Sequence, residues 1–272
     1  MSQLRAVKYS GAGNLIILIL EKKDQISAKT ALAKKLCDSS TGPGADGVLF
    51  LREDSSKKVD YIWDFYNADG SSAEMCGNAA RNAGQFCNEE LKIPKDKFLF
   101  QTVSGKIFCE KKENGIYEVE MPPYHIKDEN LELVANGQKE KFMHVDTGVP
   151  HLVCGLNENL FAKINEKNFL YWAQSFRSHS QLDPLGANVT VVNEWKGEKQ
   201  AVTFERGVEN FTQACGTGAV AAAVYFEKRK ISDVHEIKMP GGLLKVDLKS
   251  HHRPHLVGPS KKIEEYSIEG NI

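Results

Sequence analysis

The chain has 272 residues, of which 41% are hydrophobic and 26% are charged, the composition of an ordinary globular protein. Its 35 Lys and Arg residues balance 36 Asp and Glu residues, so the net charge of -1 gives no electrostatic case for nucleic acid or an anionic membrane surface as a partner. A small molecule is the expected partner, and the length favours roughly two domains over one.

The first clear element is an apolar run from Leu15 to Leu20, which ends at Glu21. A signal peptide or a membrane span needs a longer apolar run than this one. The run therefore predicts a buried strand, in a protein that stays in the cytoplasm.

The chain contains six cysteines, and none of them belongs to a C-x-x-C pair. This pattern argues against structural zinc and against a compact disulfide framework. We expect reduced thiols, of which four behave as core residues: Cys37, Cys87, Cys109 and Cys154.

Two segments resemble each other at an offset of 139 positions, which places Phe65 on Phe204 and Cys76 on Cys215. In each segment a strand leads through a polar loop to Cys-Gly and then to small, helix-favouring residues, 79–83 in the first copy and 219–226 in the second. The second run is apolar nearly all round, which predicts a helix buried inside its domain.

A Gly-containing strand entry follows each predicted helix, and other short β-rich runs occupy 47–51, 117–121 and 189–192. The whole pattern predicts an α+β fold with two domains, each a mixed sheet around a central helix. A duplication kept only for packing is the simpler explanation of the repeat, since a free cysteine is usually a small buried hydrophobe. The recurrence of Cys-Gly at both predicted helix starts favours a chemical role.

Cys76 and Cys215 each open a predicted helix. A cysteine in the first helical turn lies among unpaired N–H groups at the positive end of the helix dipole, which favours thiolate over thiol. Two such cysteines suit the inversion of a stereocentre, because one proton must leave a carbon on one face while another arrives on the opposite face. Backbone N–H groups at the same two helix starts are expected to hold the α-carboxylate of the substrate: Gly77, Asn78, Gly216 and Thr217.

Cofactors and metals have no clear signal in the sequence. There is no phosphate-binding glycine loop of the G-x-G-x-x-G or G-x-x-x-x-G-K-[ST] type. The His-rich stretch of His251, His252 and His255 lacks further ligands, so we expect a solvated loop there. We expect no cofactor and no metal, and nothing calls for pyridoxal phosphate.

Short polar and glycine-rich segments along nearly the whole chain together resemble the diaminopimelate epimerase family. The matching segments are Gly11-Ala12-Gly13-Asn14, Gly42-Pro43-Gly44-Ala45-Asp46-Gly47, Asn67-Ala68-Asp69-Gly70-Ser71, Cys76-Gly77-Asn78, Pro150-His151, Asn188, Glu205-Arg206-Gly207, Ala214-Cys215-Gly216-Thr217-Gly218-Ala219 and Pro240-Gly241-Gly242.

The resemblance implies two pseudo-symmetric domains, each a mixed sheet or barrel wrapped around a central helix, with the active site in the cleft between them. The first domain is expected to comprise 1–119 with 261–272, so that the C-terminal strand returns to it, and the second 120–260. The implied activity is a cofactor-independent isomerase that epimerises LL-diaminopimelate to meso-diaminopimelate, with a link to lysine and cell-wall precursor synthesis. The sequence leaves open whether the protein forms a homodimer.

The resemblance also implies roles for individual residues. Cys76 and Cys215 are the expected proton-transfer pair, and His151 and Glu205 are expected to help set their ionisation. The distal end of the substrate is expected to contact a set of polar side chains: Asn14, Asn67, Asn188, Glu205 and Arg206. An arginine presents a planar fork to a carboxylate, and an asparagine offers both a donor and an acceptor.

The sequence departs from the family pattern at several positions. Leu15 stands where an Asp is usual, and Val149 stands where an Asn usually precedes Pro150-His151. The segment Val208–Phe211 replaces a glycine-rich link and is one residue longer, while Ala79 and Asn82 replace a common Gly and a common Cys. None of these changes removes the two cysteines, but the loss of a polar group at Val149 predicts relaxed substrate specificity.

Two alternatives to a strict diaminopimelate epimerase stay open. One is a racemase of another amino acid, of the glutamate/aspartate or proline type, on the same scaffold. The other is a non-catalytic protein that binds an amino acid.

Overall fold

The computed structural model describes residues 4–21, 28–113, 115–228, 233–250 and 253–268. It divides into two compact units, residues 1–120 with 257–272 (unit 1) and residues 121–256 (unit 2). Both units are α+β structures dominated by β-sheet. Within the described ranges, no helix combines the length and the apolar character needed to cross a membrane.

The first half of the chain contains β1 (Leu4–Gly11), β2 (Asn14–Glu21), α1 (Lys29–Cys37), β3 (Gly47–Glu53), β4 (Tyr61–Asn67), β5 (Ser72–Ala73), α2 (Gly77–Glu89), β6 (Lys97–Thr102), β7 (Gly105–Glu113) and β8 (Ile116–Glu120). It is followed by β9 (His125–Ala135), β10 (Gln138–Asp146), β11 (Pro150–Gly155), α3 (Glu158–Phe161), α4 (Lys167–Arg177), a 3-10 helix (Ser180–Leu182), β12 (Asn188–Trp195), β13 (Glu198–Glu205), β14 (Asn210–Phe211), α5 (Gly216–Glu227), β15 (Val234–Met239), β16 (Gly242–Asp247), β17 (His255–Pro259) and β18 (Lys261–Ile268).

Unit 1 is a mixed sheet with helices on both faces. β1 pairs antiparallel with β2, β2 runs parallel to β3, and β3 pairs antiparallel with β4. β4 is antiparallel to β5 and parallel to β6, and β6, β7 and β8 follow as an antiparallel meander. The C-terminal strand β18 pairs antiparallel with β1.

Unit 2 repeats this order of pairings. β10 is antiparallel to β9 and β11, β11 is parallel to β12, and β12 is antiparallel to β13. β13 pairs antiparallel with β14 and parallel with β15, which forms a hairpin with β16. The α+β fold with mixed sheets, predicted from the sequence, is confirmed. The helices α1 and α4 were not predicted, and each connects a pair of parallel strands, a connection that needs a crossover.

The two central helices meet their sheets at close range. α5 is buried from Gly218 to Phe226, as its all-round apolar sequence predicts. In α2, a Cβ on Gly84 would lie 2.6 Å from Cys109 Sγ, so this position requires glycine. The four cysteines predicted to be core residues are buried: Cys37, Cys87, Cys109 and Cys154.

The repeat shifts its register by one residue between the strand and the helix. Tyr66 packs against the core cluster under α1, whereas Phe204 packs in the cluster that includes Phe176 of α4. Because neighbouring residues of a strand point to opposite faces, Thr203 takes the place of Phe65 on the face toward the central helix. The sequence offset of 139, which pairs Phe65 with Phe204, is therefore wrong for the strand, although it holds from β5 and β14 onward.

Candidate active site

Cys76 caps the N-terminus of α2. Its backbone is extended, with φ -143° and ψ 114°, and its Sγ accepts a hydrogen bond from the Ala79 N–H at 3.5 Å. A side-chain acceptor at this position satisfies one of the N–H groups that a helix leaves unpaired in its first turn. The side chain is half-buried.

Cys215 caps α5 in the same way. Its φ and ψ are -128° and 113°, and its Sγ accepts from the Gly218 N–H at 3.4 Å. The residue is 5% exposed. The prediction that both cysteines stand at helix starts is confirmed, and each sulfur accepts from the N–H three residues ahead.

Unit 1 gathers its predicted site residues at one end of its sheet. Asn14 begins β2, and Asn67 ends β4 opposite Gly47, the first residue of β3. β5 pairs with the C-terminal end of β4, and Cys76 follows β5 by three residues. The strand directions therefore place Asn14, Asn67 and the start of α2 at the same end of the sheet.

A carboxylate that sequence reasoning missed holds Asn14. Oδ2 of Asp46 accepts from Asn14 Nδ2 at 3.0 Å and from the Leu15 N–H at 2.7 Å. Burial raises the pKa of Asp46 above its ordinary value. Asp46 lies in a segment that carries the family resemblance, but an Asp beside a glycine is typical of a turn and does not indicate a functional role. Because the Asn14 side chain donates to Asp46 through Nδ2, its own Oδ1 remains able to accept a hydrogen bond.

Asn67 is fixed similarly by its own turn. Its Nδ2 donates to Ser71 Oγ at 3.1 Å, and its backbone N–H donates to the Ser71 carbonyl at 2.9 Å. Asp69 accepts in turn from the N–H and hydroxyl of Ser71. Unit 1 thus presents two asparagine side chains that are each held by one amide N–H and whose Oδ1 atoms can accept from a donor.

Unit 2 contains a hydrogen-bonded chain that begins at Cys215. The Cys215 Sγ lies 3.4 Å from Thr217 Oγ1, which lies 3.0 Å from His151 Nε2. His151 Nδ1 is 2.8 Å from Thr190 Oγ1, which is 3.0 Å from Thr203 Oγ1. A hydroxyl both donates and accepts, so Thr217 can hydrogen-bond with either protonation state of the sulfur.

His151 is neutral in this environment. It is fully buried, and burial lowers its pKa from 6.5 to about 3. The sequence singled out His151 as a residue that helps to set cysteine ionisation, and the structure links it to Cys215 through the Thr217 hydroxyl. The three threonines of this hydrogen-bonded network are Thr190, Thr203 and Thr217. They come from separate segments, so in the sequence each one looks only like a strand-forming or helix-start residue.

Asn188 and Arg206 are joined at the adjoining strand ends. Asn188 Oδ1 accepts from the Arg206 N–H at 2.9 Å, and its Nδ2 lies 3.4 Å from His151 Nε2. The Arg206 guanidinium donates to the Leu185 carbonyl at 3.2 Å. Glu205 accepts from the hydroxyl of Thr212. Asn188 therefore ties the backbone at Arg206 to the histidine, and its predicted contact with substrate stays a prediction.

The departures from the family pattern fall around these residues. Val149 is half-buried immediately before β11, and its carbonyl accepts from the Thr147 N–H at 3.0 Å. In the altered link, Glu209 pairs with Arg177 at 2.6 Å and accepts from the Gly207 N–H at 3.1 Å. The link is thus held by polar contacts of its own.

No metal site emerges from the part of the chain that the structure describes. Within those ranges, no three His, Cys, Asp or Glu side chains converge in an arrangement that could hold a metal ion. Of the predicted His-rich loop, His255 belongs to β17, while His251 and His252 lie outside the described residues.

The fold is shared with solved structures of low sequence identity. A phenazine biosynthesis protein of the PhzF family from Enterococcus faecalis matches with a TM-score of 0.77 and 16% identity, over 98% of this chain and 100% of that one. A probable proline racemase from Agrobacterium radiobacter, solved with bound carbonate, matches with a TM-score of 0.74 and 12% identity, over 98% and 93%. These likenesses define the fold class as that of the PhzF and proline racemase structures.

Sequence relationships define the family. The model of the family described as diaminopimelate epimerase matches residues 6–126 and again residues 143–263. The diaminopimelate epimerase of Hydrogenobaculum sp. is 34% identical over 278 residues, which cover 97% of this chain and 98% of that protein. That of Flavobacterium psychrophilum is 31% identical over 274 residues, with coverage of 97% and 100%. The chain belongs to the diaminopimelate epimerase family, a family of isomerases.

Proposed function

We propose that the chain epimerises LL-diaminopimelate to meso-diaminopimelate without a cofactor, with Cys76 and Cys215 as the two acid/base residues. The observation that carries the proposal is the pair of matched helix caps, in which each cysteine sulfur accepts an N–H from its own helix. Membership of the family supports the reaction class and the substrate.

The chemistry follows from what a capped sulfur can do. One cysteine, as thiolate, takes the α-proton from one face of the substrate, and the other, as thiol, gives a proton to the opposite face. The bond from carbon to hydrogen breaks on one side while a new one forms on the other, so the two cysteines end with exchanged protonation states. The reverse reaction uses them in the opposite order.

The α-carboxylate is assigned to the two helix starts. The N–H groups of Gly77 and Asn78 in α2, and of Gly216 and Thr217 in α5, belong to the first helical turns, where N–H groups lack partners within the helix. They supply fixed dipoles for the negative charge that develops as the α-proton leaves.

The distal end of the substrate is assigned to the asparagines and to Arg206. Asn14 and Asn67 each donate one amide N–H to the protein, and their Oδ1 atoms are acceptors suited to an ammonium group. Arg206 supplies the cationic fork that suits a carboxylate. Because Val149 offers no polar side chain, the proposal includes slow turnover of smaller acidic amino acids.

Solvent exchange is the direct test of this proposal. The purified protein is incubated in deuterium oxide with LL-diaminopimelate, meso-diaminopimelate, glutamate, aspartate and proline, and deuterium at each α-carbon is followed by mass spectrometry. We expect the fastest incorporation into diaminopimelate, together with interconversion of its isomers. Exchange confined to another amino acid would identify a different racemase, and binding without exchange would identify a non-catalytic protein.

Replacement of each cysteine tests the two-base assignment. Cys76→Ala and Cys215→Ala should each reduce epimerisation by about 1000-fold or more, because a single thiol cannot serve both faces of the carbon. Cys154→Ala, which removes a buried thiol from the core, is the matched control and should stay within a few-fold of the wild type. Normal turnover in either active-site variant would overturn the assignment.

A further inference from the structure

Arg81 lies in α2, one turn after Cys76, and its side chain is completely buried. Its Nη2 donates to Asn78 Oδ1 at 2.6 Å, its Nη1 to the Gly77 carbonyl at 3.4 Å and its Nε to the Pro259 carbonyl at 3.4 Å. Two of these three contacts are with the first helical turn, the turn that Cys76 caps.

All three hydrogen-bond partners of the guanidinium are neutral. Among the residues that the structure describes, no carboxylate forms an ion pair with Arg81. A buried charge is expensive unless an opposite charge compensates it. Burial lowers the pKa of Arg81 to about 10, so the side chain still carries its charge at neutral pH. The guanidinium therefore calls for an anion nearby.

The other titratable groups on the strands packed against α2 cannot supply that anion. Those with buried side chains beside α2 are Tyr9 on β1, Cys109 on β7 and Tyr117 on β8, together with Cys87 of α2 itself, and burial raises the pKa of each, that of Cys109 to about 12. Glu110 on β7 and Glu118 and Glu120 on β8 alternate with the buried residues of their strands and so point to the other face of the sheet. Glu21 on β2 is paired with Lys29. Glu74 precedes Cys76 but is exposed, and Glu89, Glu90 and Arg5 lie at the opposite end of the helix. Cys76 is the remaining group.

We propose that the thiolate of Cys76 is the counter-ion of the buried Arg81 guanidinium, so that Cys76 is the base in the free protein and Cys215 the acid. Arg81 acts here as a positioning residue, through the helix start and the charge beneath it. At the equivalent place in α5 stands Val220, which is buried and carries no charge. The inference rests on the proposed two-cysteine function and assigns the resting protonation states within it.

Thiol alkylation as a function of pH tests this proposal. Wild-type protein is treated with iodoacetamide in short pulses between pH 5 and pH 10, and the modification of Cys76 and Cys215 is quantified separately by peptide mass spectrometry. We expect the Cys76 midpoint to lie below that of Cys215. A Cys76 midpoint at or above that of Cys215 would overturn the proposal, and this measurement needs no variant.

Two substitutions of Arg81 separate its charge from its packing. Arg81→Met keeps a long apolar side chain without the charge, and it should lower the Cys76 alkylation rate at pH 7 by about tenfold, equivalent to one pKa unit. Arg81→Lys restores a charge and should recover most of this loss, while Cys215 in the same samples stays unchanged. Val220→Ala is the matched control in α5 and should leave the Cys76 profile unaltered.

The outcomes distinguish this inference from the proposed function. If folded Arg81→Met, checked by circular dichroism, has the wild-type Cys76 profile, the counter-ion role is wrong even where epimerase activity is present. If the Cys76 profile depends on Arg81 but no substrate exchanges deuterium, the ion pair stands and the proposed function fails. Alkylation needs no turnover, which is why the two results are independent.

Discussion

The sheet layers beneath the two cysteine-capped helices differ in chemistry although their strand pairings correspond. Under α5, adjacent strands supply His151, Thr190 and Thr203, which form one hydrogen-bonded chain. The pairings place three apolar residues at the equivalent positions under α2, all of them buried: Ile16, Leu49 and Phe65. For the helices themselves the polarity is reversed, since α2 carries the charged Arg81 where α5 carries the apolar Val220.

This comparison shows how two units with the same strand pairings can place their capping cysteines in unlike environments. Both units preserve the cap, because the geometry of a helix start depends on the backbone and on a small residue after the cysteine. The electrostatic environment is supplied from different places, a cation on the helix in unit 1 and a neutral chain in the sheet of unit 2. Unit 1 therefore has a charged residue on its helix and an apolar sheet beneath it, whereas unit 2 has an apolar helix and a polar hydrogen-bonded chain in its sheet.

The largest effect is expected where the neutral chain meets Cys215. Thr217→Val removes the hydroxyl and keeps the shape and the backbone N–H, so the sulfur loses its hydrogen bond to Thr217 Oγ1. We expect kcat to fall by about 30-fold with little change in KM, less than the roughly 100-fold to 10,000-fold contribution of an acid/base group itself, because Thr217 only supports the cysteine. The measurement is the steady-state rate of epimerisation as a function of pH.

Thr102→Val is the control for that prediction in unit 1. Thr102 is also buried, and its hydroxyl donates to the Gly105 carbonyl at 2.7 Å, away from the cysteine cap. The control should retain near wild-type kcat. Equal rates for the two variants would show that the hydroxyl of Thr217 does not take part in the chemistry.

The neutrality of His151 predicts a pH dependence of stability that unit 1 lacks at the equivalent position. The folded pKa is about 3 and the ordinary value is 6.5, so between these values the unfolded chain binds a proton that the folded chain does not. The free energy of unfolding therefore falls as pH drops below 6.5, by about 2 kcal/mol between pH 7 and pH 5.

Urea denaturation at these two pH values measures the change. In His151→Gln the side chain cannot take up a proton, so the loss of stability from pH 7 to pH 5 should be about 2 kcal/mol smaller than in the wild type. The comparison uses the difference between the two pH values, which removes any constant cost of the substitution. Parallel pH dependences in the two proteins would mean that folding leaves the pKa of His151 at its ordinary value.

The sequence predicts the parts of this molecule that follow from local pattern. The apolar run 15–20 becomes β2, and the small residues after each Cys-Gly become α2 and α5, because these signals lie within one segment. Both cysteine caps follow from the same local information. The predicted domain boundaries and the substrate contacts are of a different kind and stay predictions.

The parts that sequence reasoning missed depend on register between distant strands. His151, Thr190, Thr203 and Thr217 meet only once four segments are paired, and each threonine alone looks like an ordinary strand or helix-start residue. The one-residue shift of the repeat moved Thr203 into the place of Phe65, which an alignment at fixed offset conceals. Arg81 could have been noticed as a cation among small residues in the predicted helix, although its burial could not.

A third prediction compares the first turns of the two helices. Gly218 in α5 corresponds to Ala79 in α2, and a Cβ on Gly218 would lie 2.2 Å from Thr203 Oγ1. Gly218→Ala should therefore lower the free energy of unfolding by about 1 to 3 kcal/mol, the usual cost of overpacking. Ala79→Gly, the reciprocal change in unit 1, should cost only about 0.5 to 1 kcal/mol of helix propensity. Urea denaturation gives both values, and a smaller cost for Gly218→Ala than for Ala79→Gly would contradict the close packing at Thr203.

The smallest effect concerns what the two units offer to the distal end of a substrate. Unit 1 keeps its polar side chains at Asn14 and Asn67, whereas unit 2 has Val149 next to Pro150 and His151. Discrimination against a wrong substrate depends on polar groups that this substrate leaves unpaired, so a site with fewer such groups discriminates less. Wild-type protein should therefore racemise glutamate or aspartate slowly beside diaminopimelate.

Val149→Asn should restore part of that discrimination. A hydrogen bond is worth about 0.5 to 1.5 kcal/mol, so the ratio of kcat/KM for diaminopimelate to that for glutamate should rise by about 2-fold to 10-fold. Val103→Asn makes the same change at a valine that is 72% exposed and should leave the ratio unaltered. Strict specificity of the wild-type protein for diaminopimelate would contradict the prediction, because the valine would then have removed no contact that the substrate uses. In that case the asymmetry between the two units would be confined to the acid/base residues and would not extend to substrate selection.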